Sequence, residues 1–150
     1  MIRYVDSVDG IHLDMLHGFF EGWRRSVSPE DHLELLRRSD HVVLALDDSP
    51  NVQTPDTDPA PDAAATPDVV ADRVVGFITA ISDGVLAAYI PLLEVLPDYR
   101  GRGIGTELAR RLLHRLNGLY MVDVMCDCNV QPFYERLGML PSTGMVIRRT

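Results

Sequence analysis

Apolar residues that recur every three or four positions predict four helices in this chain. The predicted helices cover residues 10–23, 28–40, 106–117 and 130–138. The second has the clearest start, because Ser28 is a good N-cap, Pro29 suits the first helical position and Asp31 stands where a capping box places an acid. Glycines end the last two helices, with Gly118 after the third and Gly138 closing the fourth.

Alternating or continuous apolar runs predict six strands between and around these helices. The predicted strands cover residues 1–5, 41–46, 73–81, 85–96, 120–127 and 145–149. The tripeptide Ser82-Asp83-Gly84 joins the third strand to the fourth and is typical of a hairpin turn. The order of strand, two helices, several strands, helix, strand, helix, strand predicts a mixed α/β domain built on one central sheet.

Composition changes sharply between residues 49 and 72. This segment has five prolines, five aspartates, no aromatic residue and no Lys or Arg. It cannot bury enough apolar surface to offset its ordering entropy, so we expect a disordered insertion between two paired strands. A tolerated loop expansion is favoured over a lid or partner-binding segment. With 150 residues in total, the chain is expected to form one domain over 1–150.

The charge of the chain bears on its partners and location. A net charge of -8 argues against a nucleic-acid partner, because phosphate backbones are held mainly by clustered Lys and Arg. The longest apolar run, residues 85–93, contains a proline and is too short to span a bilayer, and the first ten residues have no apolar leader segment. We therefore expect a soluble cytoplasmic protein with no membrane partner.

The two cysteines, Cys126 and Cys128, lie two positions apart in a predicted strand. Their side chains should point the same way, which is poor geometry for a disulfide. A zinc site needs further ligands, and no second Cys pair or His pair follows at metal-binding spacing. Thiols in the core are the favoured expectation, and no metal is predicted.

The sequence YRGRGIGTEL at residues 99–108 carries the clearest candidate chemistry. Glycines at every second position leave backbone amides open to an anion, and the helix that follows adds the positive end of its dipole. A P-loop would need Gly-Lys-Ser/Thr here. A dinucleotide fingerprint would need Gly or Ala at Thr106, and too little chain follows for its repeated units, although Asp123 stands where that fingerprint has its ribose-binding acid.

The pattern Arg100-x-x-Gly103-x-Gly105, after a strand and before an amphipathic helix, resembles the acyl-CoA signature of the GNAT superfamily of N-acetyltransferases. The segments GFITAISDG at 76–84, LEVLPDYRGRGIGTEL at 93–108 and FYERLGM at 133–139 match that superfamily in order and spacing. The resemblance covers most of the chain except the insertion. It implies a mixed α+β fold with a twisted, mostly antiparallel central sheet flanked by helices.

The resemblance also implies how the cosubstrate acetyl-CoA would be held. Its pyrophosphate would lie on the loop amides, and its pantetheine arm would bind the backbone of the preceding strand. Arg100 and Arg102 would add local positive charge. The implied loop residues are Gly101, Arg102, Gly103, Ile104, Gly105 and Thr106, and the implied strand residues are Leu93, Glu94 and Val95.

Two side chains are candidates for catalysis. The resemblance places Tyr134 where the family has a tyrosine that protonates the departing thiolate; the alternative is an aromatic side chain that packs beside Phe133 and Leu137. Glu94 interrupts an apolar strand, which is costly unless it faces a cleft or a partner. It is therefore a candidate base or amine-recognition group, with a structural acid paired to an arginine as the equal alternative.

Other residues are candidates for the acceptor side, although core packing is favoured for the aromatic ones. They are Phe19, Trp23, Asp83, Tyr89 and Asp127.

The sequence therefore predicts an N-acetyltransferase that transfers an acetyl group from acetyl-CoA to a primary amine by direct attack in a ternary complex. The acceptor class stays open between small-molecule and peptide amines. The alternatives are a non-catalytic acyl-CoA-binding sensor or accessory subunit and an enzyme for longer acyl groups. An exposed sheet edge or the first helices could support a homodimer.

Overall fold

The computed structural model describes residues 1–49 and 72–149, so the predicted insertion falls almost wholly outside the described residues. The five strands are β1 (Ile2–Val5), β2 (His41–Asp47), β3 (Arg73–Ser82), β4 (Ala87–Val95) and β5 (Met121–Val124). The three α-helices are α1 (Pro29–Arg38), α2 (Ile104–Arg115) and α3 (Gln131–Glu135), with short 3-10 turns at Leu13–Met15 and Pro97–Tyr99. Within the described ranges, none of the helices has the length and apolar character needed to cross a membrane.

The strands form one sheet in the order β1-β2-β3-β4-β5. The first four are antiparallel neighbours, whereas β5 runs parallel to β4. Strands β2 and β3 are paired, so residues 48–72 connect two neighbouring strands as expected. The expectation of a mixed, mostly antiparallel sheet flanked by helices is confirmed.

The sheet is covered on both faces. Helix α2 lies against one face and packs tightly over Gly76, where an added Cβ would be 3.1 Å from the Leu108 side chain. The N-terminal segment and α1 cover the other face, where the Phe77 ring is fully buried. Burial of these apolar side chains on both faces is the main stabilising contribution to the fold.

Helix start signals locate α1 and α2 well. Ser28 Oγ accepts the Asp31 N–H at 3.1 Å, as its predicted N-cap role requires. Helix α2 begins at Ile104, two residues before the predicted start, because Gly103 adopts a left-handed φ of 79° and serves as its N-cap. The glycine loop therefore ends directly at a helix N-terminus.

The predicted helix over residues 10–23 is wrong. Gly10, Gly18 and Gly22 adopt positive φ angles, which break the helical path, and only Leu13–Met15 forms a 3-10 turn. The apolar side chains that suggested a helix are nevertheless buried: Ile11, Met15, Leu16, Phe19 and Phe20. The spacing therefore identified which side chains face the core but wrongly predicted a helical backbone.

The predicted strand at residues 145–149 is also absent, because residues 140–149 adopt no regular structure and are all exposed. Strand β5 is shorter than the predicted 120–127, since its pairing with β4 ends at Val124. A strand needs a partner for its backbone groups, and sequence pattern alone does not supply one.

His32 lies in an aromatic cluster beneath the N-terminal segment. Its ring centroid is 5.1 Å from Phe19, 5.0 Å from Phe20 and 4.5 Å from Phe77. The residue is 1% exposed, and neither ring nitrogen has a hydrogen-bond partner within the described part of the chain. Burial lowers the pKa of His32 to about 4, so the ring is neutral at pH 7.

We expect His32 to make stability fall in mild acid. In the unfolded chain His32 binds a proton below pH 6.5, whereas in the folded chain it does so only near pH 4. The contribution of neutral His32 to the free energy of unfolding is therefore complete above pH 6.5. It is lost at up to about 1.4 kcal/mol per pH unit as the pH falls towards 4. Denaturant unfolding at several pH values should show this slope reduced in His32→Leu. The exposed control His114→Leu should keep it, and an unchanged slope in His32→Leu would contradict the assignment.

Candidate functional site

A β-bulge in β4 opens a cleft between β4 and β5. Between the pairs Thr79–Leu92 and Ile81–Tyr89, β4 has one residue more than β3. Pro91 lies in this bulge and has no N–H for a ladder bond. Pairing between β4 and β5 ends just before it, at Ile90, although β4 continues to Val95. Beyond Pro91 the β5 side of β4 is therefore an open backbone edge.

Strand alternation decides which backbone groups face this edge. The Leu96 N–H donates to the Val75 carbonyl at 2.9 Å, so the backbone of residues 92, 94 and 96 faces β3. The backbone groups of Leu93 and Val95 face the opening. The expectation that the backbone of Glu94 holds the cosubstrate requires correction, because its main chain faces Phe77 of β3 and cannot bind a ligand in the cleft.

The glycine loop forms one end of the cleft. Gly101 and Gly103 have positive φ angles of 74° and 79°, and a Cβ at either position would meet nothing within 4 Å. The first intrahelical bond of α2 is donated by Glu107 to the Gly103 carbonyl. The preceding N–H groups of residues 104–106 therefore have no acceptor within the helix and suit an anion.

Two arginine side chains flank this loop. Arg100 Nε donates to the Val95 carbonyl at 3.0 Å, and the Arg102 guanidinium lies 5.0 Å from the centre of the Tyr99 ring. Each contact uses few of the five N–H donors of a guanidinium. Most N–H donors of both arginines therefore remain available to an anion. Arg100 occupies the Val95 carbonyl, so Val95 presents its N–H to the cleft beside the backbone groups of Leu93.

Helix α3 forms the opposite wall. A Cβ at Gly105 would be 3.7 Å from the Val95 side chain and 4.0 Å from the Phe133 ring, which places α3 beside both the loop and β4. The Tyr134 ring packs edge-on against Phe133 with centroids 4.9 Å apart. Tyr134, next to Phe133 in the chain, thus lies in the same region as the loop.

Tyr134 lies in an apolar environment and is 7% exposed. Burial raises the pKa of its hydroxyl to about 12, and the nearby Cys126 thiol adds to the increase. This value is above the ordinary tyrosine pKa near 10 that the sequence alone suggests. The hydroxyl therefore keeps its proton at neutral pH and is available as a hydrogen-bond donor.

The Glu94 side chain projects from the face of the sheet opposite α2. Its two carboxylate oxygens accept the Phe20 N–H at 3.0 and 3.3 Å. Burial raises the pKa of Glu94, and the Phe20 hydrogen bond and the charge of Arg100 partly oppose this increase. Glu94 has a structural contact with a backbone amide, and no arginine forms an ion pair with it among the described residues.

Phe20 is the residue that sequence reasoning missed. It has a φ of 62°, the one positive value at a non-glycine position in the described ranges. Such a conformation costs on the order of 1–2 kcal/mol, here offset by burial of the ring and by the bond to Glu94. Glu94 therefore fixes the N-terminal segment beside β4, and only the flanking Gly18 and Gly22 hinted at a turn.

The remaining acceptor-side candidates fall into different environments. Phe19 is buried as expected. Trp23 and Tyr89 are exposed, so the expectation that they pack in the core is wrong. Trp23 packs edge-on against Phe20, with ring centroids 5.2 Å apart. Asp83 Oδ1 accepts the N–H groups of residues 85–87, so it stabilises the β3–β4 turn.

The expectation of core thiols is wrong as well. Cys128 is exposed and Cys126 is half-buried, because both follow the end of β5 where the chain leaves the sheet. Within residues 1–49 and 72–149, no group of three or more His, Cys, Asp or Glu side chains is arranged to hold a metal ion.

Substitutions at Glu94 should separate the effect of its hydrogen-bond acceptor oxygens from the effect of its charge. Glu94→Ala leaves the Phe20 N–H without its partner, and we expect a loss of about 1–3 kcal/mol, or roughly 2–10 °C in melting temperature. Glu94→Gln keeps an acceptor oxygen and removes a charge that burial disfavours, so its melting temperature at pH 7 should equal or exceed that of the wild type. Thermal unfolding of both variants checks this. Equal losses of melting temperature in the two variants would mean that the charge of Glu94 holds the N-terminal segment in place.

Residues 19–139 match the family described as "Acetyltransferase (GNAT) family". A solved structure from Deinococcus radiodurans R1, assigned as an acetyltransferase, is 42% identical with a TM-score of 0.79, covering 99% of this chain and 88% of that one. A GNAT-family acetyltransferase from Streptococcus pneumoniae is 26% identical with a TM-score of 0.68, covering 99% and 98%.

A more distant structure shares the fold alone. Glucosamine-6-phosphate N-acetyltransferase from Arabidopsis thaliana is 12% identical with a TM-score of 0.61, covering 99% of this chain and 98% of that one. No curated protein matches the chain.

Proposed function

Because the chain belongs to the GNAT family of acetyltransferases, we propose that it transfers an acetyl group from acetyl-CoA to a primary amine by direct attack in a ternary complex. The observation that carries this proposal is the meeting of three features at one cleft. These are the open edge of β4, the amide-rich start of α2 and the buried Tyr134. The acceptor is a small-molecule or peptide amine.

The cleft fits the polar groups of acetyl-CoA, which supplies the acetyl thioester. The pyrophosphate would lie on the amides of residues 101–106, flanked by Arg100 and Arg102. Leu93 and the Val95 N–H would bind the amide groups of pantetheine, as a neighbouring strand would. The open space above Gly101 and Gly103 supports this fit, because side chains there would fill the space that the phosphates need.

Glu94 is proposed as the base that receives the proton of the attacking amine, directly or through one water molecule. Its raised pKa makes it a better base than an ordinary carboxylate. The bond from Phe20 holds the carboxylate in place and uses only part of its acceptor capacity. Trp23 and Phe20 would line the side from which the amine approaches.

Tyr134 is proposed to stabilise the sulfur as negative charge develops on it. Full proton transfer from a hydroxyl with a pKa of about 12 to a thiolate with an ordinary pKa near 8.5 is uphill. A hydrogen bond to the developing charge is therefore the larger contribution, and the apolar surroundings strengthen it.

Acetyl transfer is tested by incubating the full chain with acetyl-CoA and a panel of amines, peptides and aminoglycosides. Products are followed by mass spectrometry, since exposed Cys128 would react with thiol dyes. We expect acceptor-dependent release of CoA with an acetylated product. Stabilisation by acetyl-CoA without turnover on any acceptor would favour the non-catalytic binding protein.

Gly103→Ala should weaken acetyl-CoA binding. The added methyl group enters the open space expected to hold phosphate, and we expect an affinity loss of about tenfold or more. Gly10→Ala is a matched control with a φ of +76° and the same open surroundings. It should carry a similar strain of about 1 kcal/mol without a change in affinity. Calorimetric titration distinguishes the two, and equal effects would argue against the loop as the phosphate site.

Tyr134→Phe should lower kcat at saturating substrates by about 10²-fold, since it removes the donor to the sulfur and keeps the ring. The KM for acetyl-CoA should change little. Tyr120→Phe, at a highly exposed tyrosine, is the control and should keep full turnover. Full kcat in Tyr134→Phe would exclude the proposed role.

Glu94→Gln should change the pH dependence of turnover. The amine needs a base while it is protonated and needs none at alkaline pH, so the rate loss should be larger at low pH than at high pH. Rates measured from pH 6 to pH 10 test this. A uniform loss across the range would limit Glu94 to its structural contact with Phe20.

A further inference from the structure

A groove lies between β1 and α2, on the face of the sheet that α2 covers. It has a volume of about 440 Å³, and its apolar floor is formed by Tyr4, Val5 and Val43. One side of the groove is basic and consists of the α2 residues Arg110, Arg111, His114 and Arg115. A concave site of this size, with an apolar floor and convergent polar groups, suits a small molecule, and the basic side favours one with negative charge.

Two arginines of the basic side are held in place by contacts with their neighbours. The Arg111 guanidinium lies over the Tyr4 ring, 4.7 Å from its centre, and Arg111 Nε donates to Glu107 Oε1 at 2.6 Å. Arg115 Nη1 donates to Asp6 Oδ2 at 2.6 Å, which joins the end of α2 to the residue after β1. An anion would therefore meet guanidinium groups that are already positioned, which lowers the entropic cost of binding.

The basic side has unused hydrogen-bond donors and unbalanced charge. A guanidinium has five N–H donors, of which Arg111 and Arg115 each use one and Arg110 uses two within the described part of the chain. Arg110 and Arg111 share the single carboxylate of Glu107, and Asp6 offsets only Arg115. An excess of positive charge thus remains in this groove, although the chain as a whole has a net charge of -8.

Stabilisation of the helix accounts for only part of this cluster. Basic side chains in the last turn of a helix offset its dipole, and this explains His114 and Arg115. Arg110 and Arg111 lie before that turn. A glutamate on a helix needs only one arginine for an i,i+4 ion pair, as Arg38 provides for Glu34 on α1. The second arginine beside Glu107 is therefore available for another role.

We propose that this groove binds a small organic phosphate, with the phosphate group on Arg110, Arg111 and Arg115 and the organic part on the apolar floor. A guanidinium binds two phosphate oxygens at once, and several guanidinium groups around one site suit a dianion better than a single carboxylate. Inorganic phosphate carries the same charged group and lacks the part that the floor would bind.

The groove is separate from the cleft proposed for acetyl-CoA. It lies along β1, whereas the cleft lies between β4 and β5 at the opposite edge of the sheet. Arg111 comes seven residues after Ile104, where α2 begins, which is roughly 10 Å along the helix axis. The inference therefore concerns a second ligand and does not depend on acetyl transfer.

Titration of the full chain with inorganic phosphate and with phenyl phosphate, at constant ionic strength, tests the proposal. Nuclear magnetic resonance signals of backbone amides and arginine Nε–H groups report the binding. We expect saturable shifts at residues 4–6 and 110–115, and phenyl phosphate should bind roughly fivefold more tightly because it also covers the apolar floor. Equal affinities would contradict an organic ligand, and the absence of saturable shifts at these residues would overturn the site.

The same titration in the presence of acetyl-CoA separates the two sites. Shifts at residues 101–106 report the glycine loop, and those at residues 110–115 report the groove. The groove shifts should persist when acetyl-CoA is added. Their loss would mean that the groove is part of the cosubstrate site, which would contradict the proposal. Failure of the groove and failure of acetyl-CoA binding are distinguishable, because each has its own signals.

Arg111→Gln should weaken binding of both phosphates by about tenfold or more, since it removes a charged donor from the groove. Arg38→Gln is a matched control, because Arg38 Nε donates to Glu34 Oε1 at 2.6 Å in the same i,i+4 arrangement. It should leave the affinity unchanged, and the melting temperatures of the two variants should be similar. Equal losses of affinity in both would mean that phosphate responds only to overall charge, and this would overturn the proposal.

Discussion

The bulge at Ile90 and Pro91 is the constraint on which the candidate site depends. A proline in a bulge cannot continue the ladder, so β4 and β5 separate where the sheet would otherwise be closed. Backbone groups at Leu93 and Val95 are left facing the gap, and an unpaired backbone edge favours a ligand that pairs as a strand does. The start of α2 lies at the end of this gap, because Gly105 packs on Val95. The bulge in β4 thus creates an open backbone edge beside the start of α2, which is expected to bind phosphate, and beside Tyr134.

The opposite face of β4 depends on a second contact, between Glu94 and the Phe20 amide. This bond holds a strained turn, places Trp23 beside the strand and fixes the carboxylate that we propose as the base. The same group therefore has a structural and a chemical role. Burial raises the pKa of Glu94, and the Phe20 hydrogen bond that fixes the carboxylate partly opposes this increase.

Sequence reasoning predicted the sheet, α1, α2 and the glycine loop because each has local chemistry that fixes it, such as Ser28 at an N-cap or Gly103 before a helix. The prediction of a helix at residues 10–23 failed, because the apolar spacing reflected which side chains are buried while glycines with positive φ set the backbone conformation. The prediction of a strand at residues 145–149 failed, because a strand needs a partner and the pattern does not supply one. The Phe20–Glu94 bond joins residues 74 positions apart. No local pattern encodes such a contact, and the pKa of Tyr134 likewise depends on packing that becomes visible only in the fold.

The most direct test of the central claim is hydrogen exchange of backbone amides with and without acetyl-CoA. The open edge of β4 and the start of α2 should bind the cosubstrate together, so the amides of Leu93, Val95 and residues 101–106 should exchange more slowly in its presence. The Glu94 amide, which faces β3, should change little. Binding of acetyl-CoA with no protection at these positions would contradict the account.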